Sequence, residues 1–464
     1  MKRTLLSLVI LAGLLLPACA APQTYPAPAP LSLSGASYEA SDTAPLAIAM
    51  DASGTSHIAR LECRTDDPDD CRVIYQAIHM GKQTNYMVWL PTTGLKFQNP
   101  DIAVTDSGLA ITVFQTCEIE TNFCSTWMLR SDNNLQAWVV DVGKNVRGVP
   151  LVVSRGEVIY AVHEVINDNG SALRYCRVTD QPFECHWVSA YLDPDTLFRT
   201  DPTAAVSSLG TLHVSYLVKA TNSMQAYYAD NAGDTNEDMT NASNHTLNFG
   251  QVDAPVTYFP PAIAIETDNG YAYIALGRDE TTSDALSIHY ISLYTADVQG
   301  VASFILPADD LWNIYGRPSI TANTSSAYIA FSALTTDTAT EGDIYQVGYT
   351  IGDSGGIPTR PYPTSLDVNL LDCDPVIALV EGLPVIGWHI CSPYAGRDAI
   401  YFYSILGGQI IHTPASFMNG RGELDMASNG DYLAGVWNEF QADGKLATWF
   451  AYNAHMLWLP VVKK

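Results

Sequence analysis

The sequence has little positive charge. Against 49 aspartates and glutamates it carries 23 lysines and arginines, a formal charge of −26 at pH 7. So acidic a surface repels nucleic acid and anionic lipid, which excludes a nucleic-acid partner and leaves an anchor as the only route to a membrane. Charge of either sign is scarce: 16% of residues are charged and 47% are hydrophobic, which excludes a disordered chain and provides for a large buried core. Cys-x-x-Cys knuckles are missing, and with them the usual zinc sites. No catalytic motif of high specificity is present.

The apolar run from Leu5 to Leu16 is too short to span a bilayer, and Lys2 and Arg3 precede it, the pattern of a secretion signal over residues 1–19. Its end, Leu16-Pro17-Ala18-Cys19, resembles a bacterial lipobox, so Cys19 is the expected site of lipidation and the mature N-terminus; ordinary cleavage after Ala20 is the alternative. Loss of Lys2 and Arg3 with the leader carries the formal charge from −26 to −28. Residues 20–40 are proline-rich and read as an extended spacer, leaving 41–464 as the folded domain. The expected location is the cell envelope, outside the cytoplasm.

Nine cysteines less Cys19 leave eight, in four close pairs: Cys63 with Cys71, Cys117 with Cys124, Cys176 with Cys185, and Cys373 with Cys391. Separations of 7 to 18 residues suit local disulfides in an oxidising compartment better than a metal site.

The chain repeats one phrase eight times, an apolar strand, a turn and a second apolar strand. Proline usually opens it, as in Pro45 to Ala59, Pro100 to Thr112, Pro150 to Ala161, Pro202 to Ser215, Pro261 to Ala275, Pro318 to Ala330 and Pro375 to Gly387; Gly422 opens the last, which runs to Gly435. All-β phrasing at a period of roughly 50 to 57 residues marks a radial repeat. The fold expected is an all-β β-propeller of about eight four-stranded blades, with seven as the alternative. The first strand of each unit alternates large and small side chains, as in Ile102-Ala103-Val104 and Ile263-Ala264-Ile265, which suits the crowded axis and makes it the innermost strand. Leu31 to Glu39 is the segment available to supply a strand that closes the ring.

Repeat equivalence separates structural residues from candidates for function. His57 and His213 fall where Tyr273 and Tyr328 fall, so they read as fillers of an aromatic position; Trp89, Trp138 and Trp187 recur near the fourth strand and read as blade packing. Charged departures gather at the junction before the first strand: Arg147, Arg199, Arg317, Asp374 and Glu423. The turn expected after the second strand adds Arg278, along with His163-Glu164 and Trp388-His389. These place a rim of arginines around one channel mouth, fit either for an anionic ligand or for pairing with junction acids. Asp425 is read as occupying the small-residue position that Ala103, Ala264 and Ala378 fill, where a carboxylate needs a partner or a raised pKa. No cofactor is called for; the acidic stretches Asp66 to Asp70 and Asp234 to Asp238 are the candidates for calcium, although neither has the full pattern of an EF-hand loop.

The phrase Pro-x-Ile-Ala-Val, a glycine turn and a Tyr/His-Ile-Ala strand resembles the extracellular bacterial propellers of the sialidase-like, Asp-box-containing kind. Arg199 in FRTDP and Arg317 in GRPSI come near that family's Arg-Ile-Pro motif, and Ser131 to Trp138 keeps the Ser and Trp of an Asp box. The resemblance implies a propeller and, in its enzymes, arginines that hold a substrate carboxylate beside a nucleophile and an acid. Three functions follow: a surface-anchored, non-catalytic binding propeller for an extracellular glycan or protein, expected as a monomer; a sialidase-like glycoside hydrolase; and a scaffold of an envelope assembly.

Overall fold

The computed structural model describes residues 31–32, 38–40, 46–64, 67–80, 82–89, 94–121, 123–132, 137–144, 150–167, 170–178, 183–189, 197–220, 223–231, 238–239, 245–247, 256–267, 270–281, 287–297, 300–305, 312–324, 326–337, 342–353, 362–363, 372–390, 400–404, 409–412, 424–440 and 446–453. They form eight antiparallel sheets, each opened by one of the eight phrases and termed here blades 1 to 8 in chain order. Within a blade the strands follow one another from the axis outward, because short turns join neighbours. Each inner strand packs on the inner strand of the next blade, and that of blade 8 (Leu424–Ser428) returns to that of blade 1 (Ala47–Met50), as a β-propeller requires.

Closure is done from the N-terminal side. Leu31–Ser32 pairs antiparallel with the third strand of blade 8, Leu31 opposite Phe450 and Ser32 opposite Trp449. Tyr38–Ala40 then pairs with Glu62 to Arg64 of blade 1. One short segment thus supplies hydrogen-bonded edges to both the last blade and the first, covering strands that would otherwise end unpaired.

The prolines sit inside the inner strands of several blades rather than before them. Blades 2, 4, 6 and 7 open at Leu95, Leu197, Trp312 and Asp372, and in each the register slips where Pro100, Pro202, Pro318 or Pro375 lies. An inner strand has a free edge toward the channel, and a bulge there tolerates a residue without an N–H.

Packing follows the alternation. The core divides into seams between blades, such as Ile58, Ile78, Ala434, Val436 and Phe450 between blades 8 and 1. One position on the second strand holds a bulky group facing the preceding blade: Phe114, Tyr216, Phe331, Trp388 and Trp437. Blade 1 carries Arg60 there. Arg60 is fully buried, donates to Glu62 (2.9 Å) and Gln76 (2.9 Å), and Glu62 also accepts from Arg72 at 2.6 and 3.1 Å. A polar cluster therefore lies on the blade 1 face turned to blade 8, across from the buried pair Asn438 and Thr448.

Three disulfides are formed, Cys63–Cys71, Cys117–Cys124 and Cys176–Cys185, each joining residues directly opposite on adjacent strands of one blade. Cys391 lies outside the described residues; Cys373 lies in the inner strand of blade 7, opposite His389. The disulfides fit an oxidising, extracytoplasmic environment. No helix among the described residues is long and apolar enough to cross a membrane. Residues 1–30, with Cys19, are outside the description.

Candidate functional site

The position just after the bulge proline sets the chemistry of the channel. Register aligns Asp101, Thr203, Ser319 and Asp425 at this position, with Ala47, Leu151, Ala262 and Val376 in the other blades. Three of the polar residues reach across a seam in the same way. Asp101 accepts the N–H of Val152 in blade 3 at 2.8 Å, Asp425 accepts that of Ile48 in blade 1 at 3.0 Å, and Ser319 accepts that of Ile377 in blade 7 at 3.2 Å. The second oxygen of each aspartate accepts an amide on its own strand, Ile102 at 2.9 Å and Met426 at 2.8 Å. These carboxyls clamp successive inner strands by the edge N–H groups that no strand partner can satisfy.

Asp425 accordingly corrects the sequence reading. It aligns with Asp101, two residues before the small position, which Ala427 fills in blade 8. Both positions share a strand face, which is why the sequence alone confuses them.

Burial dominates the titration of both groups. It carries the Asp101 carboxyl up to about 7 and that of Asp425 to about 6, against the lowering effect of their amide donors. Asp425 pushes Asp101 up further, and Arg317 pulls both down. Residues from blades 2, 6 and 8 therefore share one electrostatic environment at the proline end of the channel, where the Arg317 side chain is exposed.

The other rim residues stand as follows. Arg199 lies in the inner strand of blade 4 opposite Val218, and Asp374 in that of blade 7. Arg278 lies in the second strand of blade 5, opposite Tyr258 and Tyr290. Inner strands start, and second strands finish, at the proline end, so these backbone positions belong to that end. Arg147 and Glu423 lie outside the described residues. The expected turns after the second strand are strand instead: His163 and Glu164 belong to Val158–Asn167, and Trp388 and His389 to Leu383–Ile390. His163, Glu164 and Trp388 are buried, and Glu164 accepts the Ser171 hydroxyl. The second strands run three to seven residues further than the phrases, and where the added side chains are buried, as at His163, Glu164 and Trp388, neighbouring blades cover them.

The histidines of the second strands are structural. His57 bridges Asp51 (3.3 Å) and Tyr75 (2.8 Å), while His213 bonds Tyr228 at 2.7 Å, whose hydroxyl donates to Asp230 at 3.0 Å. Burial lowers both, His213 to about 4, which favours the neutral ring. In the acidic stretches, Asp70 pairs with Arg64 at 3.4 Å, and Asp238 accepts the N–H of Trp187 at 2.8 Å. No cluster of three metal-ligating side chains occurs among the described residues.

The arrangement can hold blades together, with the exposed Arg317 near its carboxyls. Acid–base work would require a carboxyl released from its two amides.

No protein-family model matches the sequence, and no curated protein is recognisably similar to it. Solved structures of similar shape include the β-propeller domain of the Trilobed protease from Pyrococcus furiosus, at 9% identity and TM-score 0.43 over 93% of this chain and 100% of that one. The polysaccharide lyase Uly1 follows at 10% identity and TM-score 0.45, over 86% and 94%. A prolyl endopeptidase gives 10% identity and TM-score 0.48, over 87% and 53%. The chain spans about half the length of such peptidases, 53% in both the prolyl endopeptidase and a puromycin-hydrolysing peptidase of Mycobacterium tuberculosis.

Proposed function

We propose that this chain is an exported, non-catalytic binding propeller, tethered through a lipid on Cys19, that takes an anionic extracellular glycan at the proline-end mouth beside Arg317. One observation carries the reading. Asp101 and Asp425, the carboxyls beside the channel at this end, each spend both oxygens on backbone amides, so the described mouth has no disengaged carboxyl pair beside its solvent-exposed arginine. The leader with its Cys19 and the three disulfides support export. The polyproline spacer supports a domain held away from its membrane.

A glycan array probed with the purified mature domain tests the reading. Binding to acidic glycans over their neutral counterparts, lost in Arg317→Gln, is the expected result. Equal signals on neutral and acidic glycans, or an unchanged pattern in Arg317→Gln, would overturn it.

A further inference from the structure

The opposite end of the channel has its own chemistry. A cavity of about 360 Å³ lies among the inner strands of blades 1 to 6, at the level of the residues that follow the clamp position. That volume is in the range of small-molecule sites. Ala49, Ala103, Ala205 and Ala264 are among the residues that line it, with Thr321 and Arg155 as polar members of the lining. The free strand edges add amides. Val104 and Val206 lie opposite Ala110 and Leu212, which turn their own backbone groups the other way to Ser131 and Asn231, so the N–H groups of both valines face the channel.

Arg155 is the departure that marks the site. It ends the inner strand of blade 3 (Leu151–Arg155), where blades 1, 2, 4 and 6 place a residue that folds back on its own turn and blade 7, also with a two-residue turn, places Val380. Asp51 accepts the amides of Ser53 and Thr55, Thr105 that of Leu109, Ser207 that of Thr211, and Asn323 that of Ser326. Blade 3 has a two-residue turn, Gly156-Glu157, with Gly156 at φ 59°, and such a turn needs no side-chain cap. The position is thereby released from structural duty and holds an arginine. That arginine is exposed and has no hydrogen-bond or ion-pair partner among the described residues. The nearest acid in sequence, Glu157, is engaged by the Ser107 amide and hydroxyl at 2.9 and 2.7 Å. In a molecule of formal charge −26 an unpaired guanidinium on a cavity wall is a focus for anions.

We infer that the turn end of the channel binds a small oxyanion-bearing molecule, held by Arg155 with the Thr321 hydroxyl and inner-strand amides, against the alanine walls. This site is separate from the proline-end mouth and stands whether or not a glycan binds there.

Isothermal titration of the mature domain with glucuronate and with inorganic phosphate, and with glucose as the neutral counterpart, tests it. At least one anion should bind saturably, with glucose weaker by about tenfold or more, and Arg155→Gln should weaken the anion by a similar factor. In Arg317→Gln the Arg155-dependent part of the binding should persist within about threefold. No anion binding below about 10 mM, equal affinity in Arg155→Gln, or a loss in Arg317→Gln alone would overturn the inference. Loss in Arg317→Gln would instead assign the signal to the proline-end mouth, so the two readings fail separately. Arg155 is exposed, so the variant is expected to fold, and an unchanged far-ultraviolet spectrum checks this.

Discussion

Replacing Asp101 by Asn should stabilise the protein at pH 8 and do little at pH 5. The sign follows from the raised carboxyl. With an ordinary value of 3.8 in the unfolded chain and about 7 in the fold, the folded state holds the extra proton between those limits. Stability from this group is therefore full below about pH 4 and is lost as pH rises through 7. Carrying a carboxyl from 3.8 to about 7 costs its ionised form about 4 kcal/mol, at roughly 1.4 kcal/mol per pH unit, as an upper limit for a half-buried group. Asparagine keeps a carbonyl acceptor for one amide, of Val152 or of Ile102, and loses the other, which costs about 1 kcal/mol at any pH. Urea unfolding of both proteins should thus show Asp101→Asn within about 1 kcal/mol of wild type at pH 5, and about 1 to 3 kcal/mol more stable at pH 8. A variant that loses more stability at pH 8 than at pH 5 would show instead that attraction to Arg317 outweighs burial at Asp101.

Other outcomes are as definite. Glu62→Gln should destabilise by about 3 to 5 kcal/mol by urea unfolding, because it leaves the buried Arg60 guanidinium without its counter-charge; a loss under 1 kcal/mol would mean that Gln76 and its surroundings suffice. Non-reducing peptide mapping should find Cys373 bridged to Cys391, and a free thiol at either would remove the fourth local disulfide. Intact mass should show acyl chains on Cys19, and Cys19→Ser should move the protein from the membrane to the soluble fraction; a native N-terminus at Ala21 would contradict this.

The repeat was the legible part of the sequence because each inner strand must satisfy the same constraints: a proline tolerated at a free edge, and large and small side chains alternating between seams. Three cysteine pairs were legible for a related reason, since short loops bring their strands into direct register. Asp101 was not. PDIAV reads as an intact phrase, and only alignment on the proline shows that Asp101 and Asp425 share a position and hence a clamp. Arg60 was hidden likewise inside HIARLE, although comparison with Phe114, Tyr216 and Phe331 would have marked it, with His163, as a polar departure. The His163-Glu164 pair looked like a turn because polar residues usually face solvent; here the adjoining blade covers them. The closing segment, Leu31 to Glu39, was legible as the strand left over before the first blade, whereas its partner, Phe450 more than 400 residues away, was not, because no local pattern encodes that pairing.

Binding without turnover is distinguished from hydrolysis by the fate of a bound glycan. An acidic glycan selected by the array would be incubated with the wild-type domain at pH 6 to 7, where Asp101 and Asp425 titrate, and then recovered and weighed by mass spectrometry. A binding propeller returns intact glycan after prolonged incubation, with saturable binding that Arg317→Gln removes. Release of a cleaved product, abolished in Asp101→Asn or Asp425→Asn, would contradict it and assign those carboxyls to catalysis instead of to the seams between blades.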